Sequence, residues 1–216
     1  MDLAIIIPAQ VTNKYHRLGD LAPFGDTTLL EWKISQCKEF ASNFQIYINS
    51  TSEDIAEIAR KENVNFILRG NEDNYSDILI NVLNSVTQKQ ILWTNPTSPF
   101  IGYQDYTSMI NTFYSSSNND SLVSVSSKND YIYYKNKRLN FGMQFSNRNE
   151  LDIIQIVTNG CYIIEKKLAI SQGSLYGELP YLYDLDYLSS VEIKDVHIYQ
   201  LSKELISSYF KRDLNV

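Results

Sequence analysis

The chain has 216 residues, 44% of them hydrophobic, enough to close a core in one domain or one with a small appendage. Its 25 acidic residues outnumber 19 basic ones, and the net charge of −6 includes no basic block. That argues against a nucleic-acid partner, whose affinity comes mostly from phosphate neutralisation. No apolar run approaches a membrane span, and Cys37 and Cys161 lie far apart without metal-ligand spacing, so a chain of the reducing cytoplasm is expected.

Met1-Asp2-Leu3 leads straight into a continuously apolar run, Leu3 to Ile7, which reads as a buried parallel strand and not as a signal peptide. Pro8 breaks it into a polar loop of about a dozen and a half residues, long for a strand-to-helix connection. Thr27 and Thr28 then cap a helix from Leu29 to about Phe40. Ligands of open α/β sheets gather at the carboxyl ends of strands, so this first loop is the leading site candidate.

A second strand is expected over Phe44–Ser50. A capping-box-like start at Thr51-Ser52-Glu53-Asp54 then opens a helix with Ile55, Ile58 and Ala59 on one face. Val64–Arg69 reads as a third strand, followed by the polar turn GNEDNY and a helix stripe of Ile78, Leu79, Val82, Leu83 and Val86. Gln90–Asn95 reads as a fourth strand closed by Pro96 and Pro99. A helix over about Gln104–Tyr114 leads to a strand at Ser121–Ser127. This strict alternation predicts an α/β domain with a mostly parallel, Rossmann-like sheet and right-handed crossovers.

The pattern then changes. Tyr131–Tyr134, Leu139–Phe145 and Gly160–Lys166 are strand-like, with the turn KNKR joining the first two, so a β-hairpin excursion is expected within 130–187. The Tyr-rich stretch 174–187 reads as a flap or an oligomer arm, and a homodimer is expected. Ser189–Lys194 is the last predicted strand. Asp195 caps a final helix with a stripe of Ile198, Leu201, Leu205 and Tyr209.

Several of these segments together resemble the cytidylyltransferases that activate acidic sugars, the acylneuraminate and ketodeoxyoctulosonate type. Their first loop runs roughly A-R-x-x-S-K-x-x-x-x-K-N-x-x-P, with a glycine after the proline. Here Ala9, Lys14, Pro23 and Gly25 match, while Gln10 replaces the arginine, Asn13 the serine, Gly19 the second lysine and Asp20 the asparagine. INSTSEDIAEIAR resembles V-S-T-D-S-x-x-I-A-x-x-A, and Arg69 falls where the family closes its third strand with a base-contacting arginine. TNPTSPF resembles Q-P-T-S-P-L, with Ile101 in place of the following arginine. IVTNGCYII resembles x-x-x-N-G-x-x-Y-I, with Asn159 and Gly160 in place and Tyr162 one position early, and VEIKDVHIYQLSKEL resembles I-D-I-D-x-x-x-D-x-x-L-A, with Glu192 and Lys194 at the two metal-binding aspartates.

The resemblance implies transfer of CMP from CTP to an acidic or phosphorylated small molecule, a precursor of surface polysaccharide, with release of pyrophosphate. It places Pro8, Ala9, Gln10, Asn13, Lys14, Asp20, Arg69 and Ser76 around the nucleotide, with Lys14 as the one aligned cation and the catalytic candidate. Asn95, Thr97, Ser98 and Asn159 fall on the substrate side, and Glu192 on Mg²⁺. Such transfer requires donors for a triphosphate, neutralisation of developing charge and an in-line acceptor oxygen, with little covalent chemistry left to the protein. From the residues alone, the carboxylate pairs are Glu192 with Asp195 or Asp184 with Asp186, and Asp195 also suits a helix cap. The alternative is a degenerate relative that binds nucleotide or a protein partner without catalysis. A plain structural subunit is the third class.

Overall fold

The computed structural model describes residues 2–41, 43–70, 74–144 and 146–213, with side chains through residue 208. Strand β1 (Leu3–Pro8) is followed by the long loop and a two-rung ribbon, β2 (Pro23–Phe24) with β3 (Thr27–Thr28). Helix α1 (Leu29–Phe40) starts on a true capping box. Glu31 N–H donates to Thr28 Oγ1, and Thr28 N–H donates to the Glu31 carboxylate. There follow β4 (Gln45–Ser50), α2 (Glu53–Lys61), β5 (Asn65–Leu68), α3 (Tyr75–Asn84), β6 (Gln90–Thr94), α4 (Tyr103–Ser115) and β7 (Ser121–Lys128). The start of α2 agrees with the sequence, but Ser52 makes no side-chain cap bond.

Seven strands form one sheet. It is completed by β10 (Ile154–Glu165) and β11 (Pro180–Asp184), in the order β11-β7-β10-β6-β1-β4-β5. All pairings are parallel except those of β10, which runs antiparallel between β6 and β7. The chain moves outward from β1 through β4 to β5, then returns across β1 to β6. The β1–β6 boundary is therefore the point where strand order reverses, and the loops after both strands open there.

Period-two alternation divides the sheet between two cores. Leu3, Ile5 and Ile7 face Leu30, Ile34, Cys37, Tyr106 and Met109 of α1 and α4. Ala4, Ile6 and Trp93 face Leu79, Val82 and Leu83 of α3 and Ala169 of α5 (Lys166–Gln172). Helix α6 (Val196–Asp213) adds a third cluster beneath the first loop, in which Tyr199 and Ile206 meet Tyr15, Ala22, Phe24 and Leu29.

Four expectations are corrected. Ser189–Lys194 is not a strand. It is a loop tied down by Ile193 N–H donating to the Thr97 carbonyl, because β11 already occupies the edge beside β7. Residues of the Tyr-rich stretch supply that edge strand. The hairpin is confined to β8 (Tyr133–Tyr134) and β9 (Lys137–Arg138), and Leu139–Gln144 forms no strand; Phe145 lies outside the described residues. On α6 the buried stripe is Tyr199, Ser202 and Ile206, while Leu201 and Leu205 are 55% and 40% exposed. The Tyr199 hydroxyl donates to the Pro23 carbonyl at 2.6 Å, and this anchor turns the helix about one residue from the predicted face. The Tyr209 side chain and residues 71–73 of the expected turn lie outside the described set.

Candidate functional site

The loop after β1 is held by its own polar groups. Asp20 is 4% exposed, and its carboxylate accepts from Gln10 N–H at 2.7 Å and from the Tyr15 hydroxyl at 2.5 Å, while Asp20 N–H returns a bond to the Gln10 carbonyl at 2.8 Å. Burial pushes the Asp20 carboxyl up to about 6; the Tyr15 and Gln10 bonds and the nearby Arg69 charge hold it below where burial alone would put it. Burial and the neighbouring Asp20 charge raise the Tyr15 phenol, so it stays a donor. Gly19 closes the fold-back at φ +53, and a Cβ there would lie 2.2 Å from the Gln10 carbonyl oxygen. Position 19 thus has no room for the lysine that the resembling family carries. The missing charge follows from the path of the backbone.

The loop uses several of its own donors. Asn13 N–H donates to the His16 carbonyl and Lys14 N–H to Asn13 Oδ1, so with Gln10 three candidate N–H groups are engaged internally. His16 Nδ1 accepts from Leu18 N–H. The side chains of Gln10, Asn13 and Lys14 are exposed. Pro8 and the buried Ala9 set its base, where Ala9 N–H donates to the Asn49 carbonyl.

Arg69 closes the next crevice. Its Nε lies 3.0 Å from Asn49 Oδ1 and an Nη lies 3.2 Å from the Asn49 carbonyl oxygen. Asn49 pairs in register with Pro8, which brings Arg69 to the same rim as Asp20. Ser76 is placed elsewhere. Its hydroxyl donates to the Gly173 carbonyl across the α3–α5 contact at 3.1 Å.

On the other side of β1, Asn95 to Pro99 leave β6. Asn95 Nδ2 donates to the Asn159 carbonyl at 2.6 Å, Thr97 receives Ile193 N–H, and Ser98 is 1% exposed. A buried network lies beneath. Lys33 Nζ contacts the Ser98 carbonyl at 2.7 Å and the Tyr106 hydroxyl at 2.9 Å. Tyr106 meets Thr94 Oγ1 at 2.7 Å, and Thr94 donates to the Gly160 carbonyl at 2.8 Å. Gln36 Nε2 adds bonds to the carbonyls of Pro99 and Ile101. Burial lowers the Lys33 ammonium to about 8. Ile101 is wholly buried, and its Cδ1 sits 2.4 Å from where a Gly160 Cβ would be. This position belongs to the core, not to the acceptor surface.

The register of β10 shifts between Val157 and Tyr162, with Asn159 at φ +53 on the bulge. Asn159 Nδ2 donates to Glu192 Oε1 at 3.1 Å, and its Oδ1 accepts the Tyr162 hydroxyl. Glu192 Oε2 is closed to solvent, and its neighbour is the Lys194 ammonium at 2.9 Å, an ionic contact without hydrogen-bond geometry.

Glu192, the carboxylate expected on magnesium, is already engaged by its neighbours. Among the described residues no group of three His, Cys, Asp or Glu side chains could hold a metal ion, and the oxygen Glu192 would offer already faces Lys194. The other three candidate carboxylates are engaged as well. Asp195 Oδ1 caps α6 through His197 and Ile198 N–H, Asp184 accepts Ser127 N–H, and Asp186 accepts from Ser189.

The structure thus gathers Pro8, Ala9, Gln10, Asp20 and Arg69 at the ends of β1, β4 and β5, and Asn95, Thr97, Asn159 and Glu192 around the end of β6 and the β10 bulge. Sequence reading missed Tyr15, Asn49 and Lys33. Lys33 was the findable one, since it falls between Leu30, Ile34 and Cys37 on the helix face that must be buried.

No family model and no curated protein matches the chain. Solved structures do match in fold. A CMP:2-keto-3-deoxy-manno-octonic acid synthetase complexed with CTP superposes with TM-score 0.72 at 9% identity, over 97% of this chain and 100% of that one. A 4-diphosphocytidyl-2C-methyl-D-erythritol synthase from Anaerococcus prevotii gives 0.67 at 15% identity, over 97% and 98%. The bifunctional IspDF from Campylobacter jejuni gives 0.67 at 13% identity over 90% of this chain, which spans about half (52%) of that longer protein. The chain shares the Rossmann-like nucleotidyltransferase fold of these cytidylyltransferases.

Proposed function

We propose that the crevice at the β1–β6 boundary takes CTP and that the chain transfers CMP to an acidic or phosphorylated small molecule. The observation that carries this reading is the placement of the Gln10–Asp20 and Asn95–Pro99 loops on either side of the strand-order reversal. The shared fold of cytidylyltransferases supports it.

In this reading an acceptor oxygen attacks the α-phosphorus, the bond to the bridging oxygen of the β-phosphate breaks, and pyrophosphate leaves. An acceptor phosphate attacks as an ionised oxygen, whereas a sugar hydroxyl gives up its proton to solvent or to the departing pyrophosphate as the new O–P bond forms. The exposed Lys14 ammonium and Gln10 side-chain amide attract the triphosphate. Arg69, fixed by Asn49, and Asp20, fixed by Tyr15, hold the base end of the crevice. Asn95, Thr97 and Asn159 bound the acceptor side. The protein's share is positioning and charge, as phosphoryl-type transfer allows.

A second reading, nucleotide or partner binding without catalysis, is favoured by the internal engagement of the Gln10, Asn13 and Lys14 N–H groups. Pyrophosphate release from CTP with a panel of sugar acids and sugar phosphates separates the two. CTP should also raise the melting temperature more than ATP, because a pyrimidine-sized pocket excludes the larger purine. Equal shifts with CTP and ATP would overturn the assignment of this crevice to a cytidine nucleotide.

A further inference from the structure

We infer that Lys194 is a built-in cation for the triphosphate, so that the crevice binds a nucleoside triphosphate without a divalent metal. The inference rests on the proposed nucleotide site. A triphosphate brings several negative charges into the crevice, and something at its rim must balance them. A magnesium ion beside a triphosphate takes phosphate oxygens and waters together with one or two protein carboxylates. The acceptor side of the crevice presents Glu192, and both its oxygens are committed. Oε1 receives Asn159 Nδ2 at 3.1 Å, and the solvent-shielded Oε2 faces Lys194 Nζ at 2.9 Å. A metal binding there would have to displace an ammonium that already carries positive charge into that place.

The backbone ties this cation to the loop after β6. Ile193, between the two charged residues, is 2% exposed and donates its N–H to the Thr97 carbonyl at 2.8 Å. Asn159, which holds Glu192, is itself held by Asn95 at the end of β6. The pair is thus locked to both segments that bound the acceptor side. Lys194 keeps 62% of its side chain exposed, enough to turn from Glu192 toward an incoming phosphate. A lysine ammonium is a compact point charge with three donors, suited to that exchange.

The test is calorimetric titration of CTP into the whole chain in EDTA and in excess Mg²⁺, with Lys194→Ala and Glu192→Gln beside the wild type. The wild type is expected to bind CTP in EDTA at least as tightly as in Mg²⁺. Lys194→Ala should weaken binding in EDTA by roughly tenfold or more, the usual loss for a charged donor. Glu192→Gln keeps an oxygen for Asn159 but releases Lys194, and should strengthen binding in EDTA. A metal-ligand role for Glu192 predicts the opposite sign, a weakening confined to the Mg²⁺ titration. Ligand-free melting curves of both variants check that the fold is intact. Binding that appears only with Mg²⁺, or an affinity in EDTA indifferent to Lys194→Ala, overturns the inference and leaves the nucleotide site standing. Absence of CTP binding in both buffers overturns the site and the inference together.

Discussion

The Lys33 ammonium lies 2.7 Å from the Ser98 carbonyl oxygen, wholly buried beneath the turn that closes the β6 side of the crevice. Through Tyr106 and Thr94 the same ammonium reaches the Gly160 carbonyl, so one side chain ties the turn to the β10 bulge. A buried cation is costly unless its donors are satisfied, and its lowered proton affinity reflects that cost.

This gives a pH prediction. The ordinary lysine value is 10.5, and burial lowers Lys33 to about 8. Between these values the unfolded chain holds more protons than the folded one, so the Lys33 contribution to stability rises with pH through that window. The difference corresponds to roughly 3 kcal/mol at about 1.4 kcal/mol per tenfold. Lys33→Met should lack this rise. Buried Cys37 and Cys161, whose thiols burial raises, lose stability at high pH in both proteins, so the Lys33 effect is read as a difference. Parallel denaturation midpoints for the two proteins from pH 7.5 to 10.5 would refute it.

Asp20 has the opposite sign. Burial raises its carboxyl from 3.8 to about 6, so the folded chain keeps the proton longer than the unfolded chain. The stabilisation from this group is complete below the ordinary carboxylate value and is lost as pH rises through about 6. Its size is at most roughly 3 kcal/mol. Asp20→Asn retains an acceptor for Gln10 N–H or Tyr15 and should lose less stability than the wild type between pH 4 and 7. Urea midpoints measured across that range for both proteins check the slope. An identical slope would remove Asp20 from the acid titration.

Gly19 is expected to be the least tolerant position of the loop. At φ +53, a methyl group on its Cα would stand 2.2 Å from the Gln10 carbonyl oxygen and 2.6 Å from the Thr12 nitrogen, so Gly19→Ala meets both strain and collision. The cost should exceed about 1 kcal/mol, seen as a lower melting temperature with a weaker CTP response. A variant as stable as the wild type would show that the loop takes another path.

Lys14 is exposed in that loop, so Lys14→Ala should leave the melting temperature nearly unchanged. Its CTP binding should fall by about 1.5–3 kcal/mol, the contribution of a charged hydrogen bond. Gln10→Arg should strengthen CTP binding, because its side chain is exposed while its backbone carries the contacts to Asp20. Calorimetry that finds both affinities unchanged would count against a phosphate role for this loop.

Short-range pattern along the chain was enough for the framework. The apolar run at Leu3, the Thr28–Glu31 box and the regular alternation through Ser127 specified strands, helices and a mostly parallel sheet, because burial on one face imposes periodicity on adjacent residues. They also put the site candidates at the ends of β1 and β6. Other features were settled by packing in three dimensions. Residues 180–184 became a strand and 189–194 did not, since β7 offers one edge and its hydrogen bonds are taken by the first of these segments, while the second is tied to Thr97. Gly19 looked like a lost charge until its contact with Gln10 showed a steric demand. Lys194 looked like a lost metal ligand until it was found on Glu192. These are pairings between residues distant in the chain or brought together by a fold-back, and no local pattern records which partner a side chain will meet.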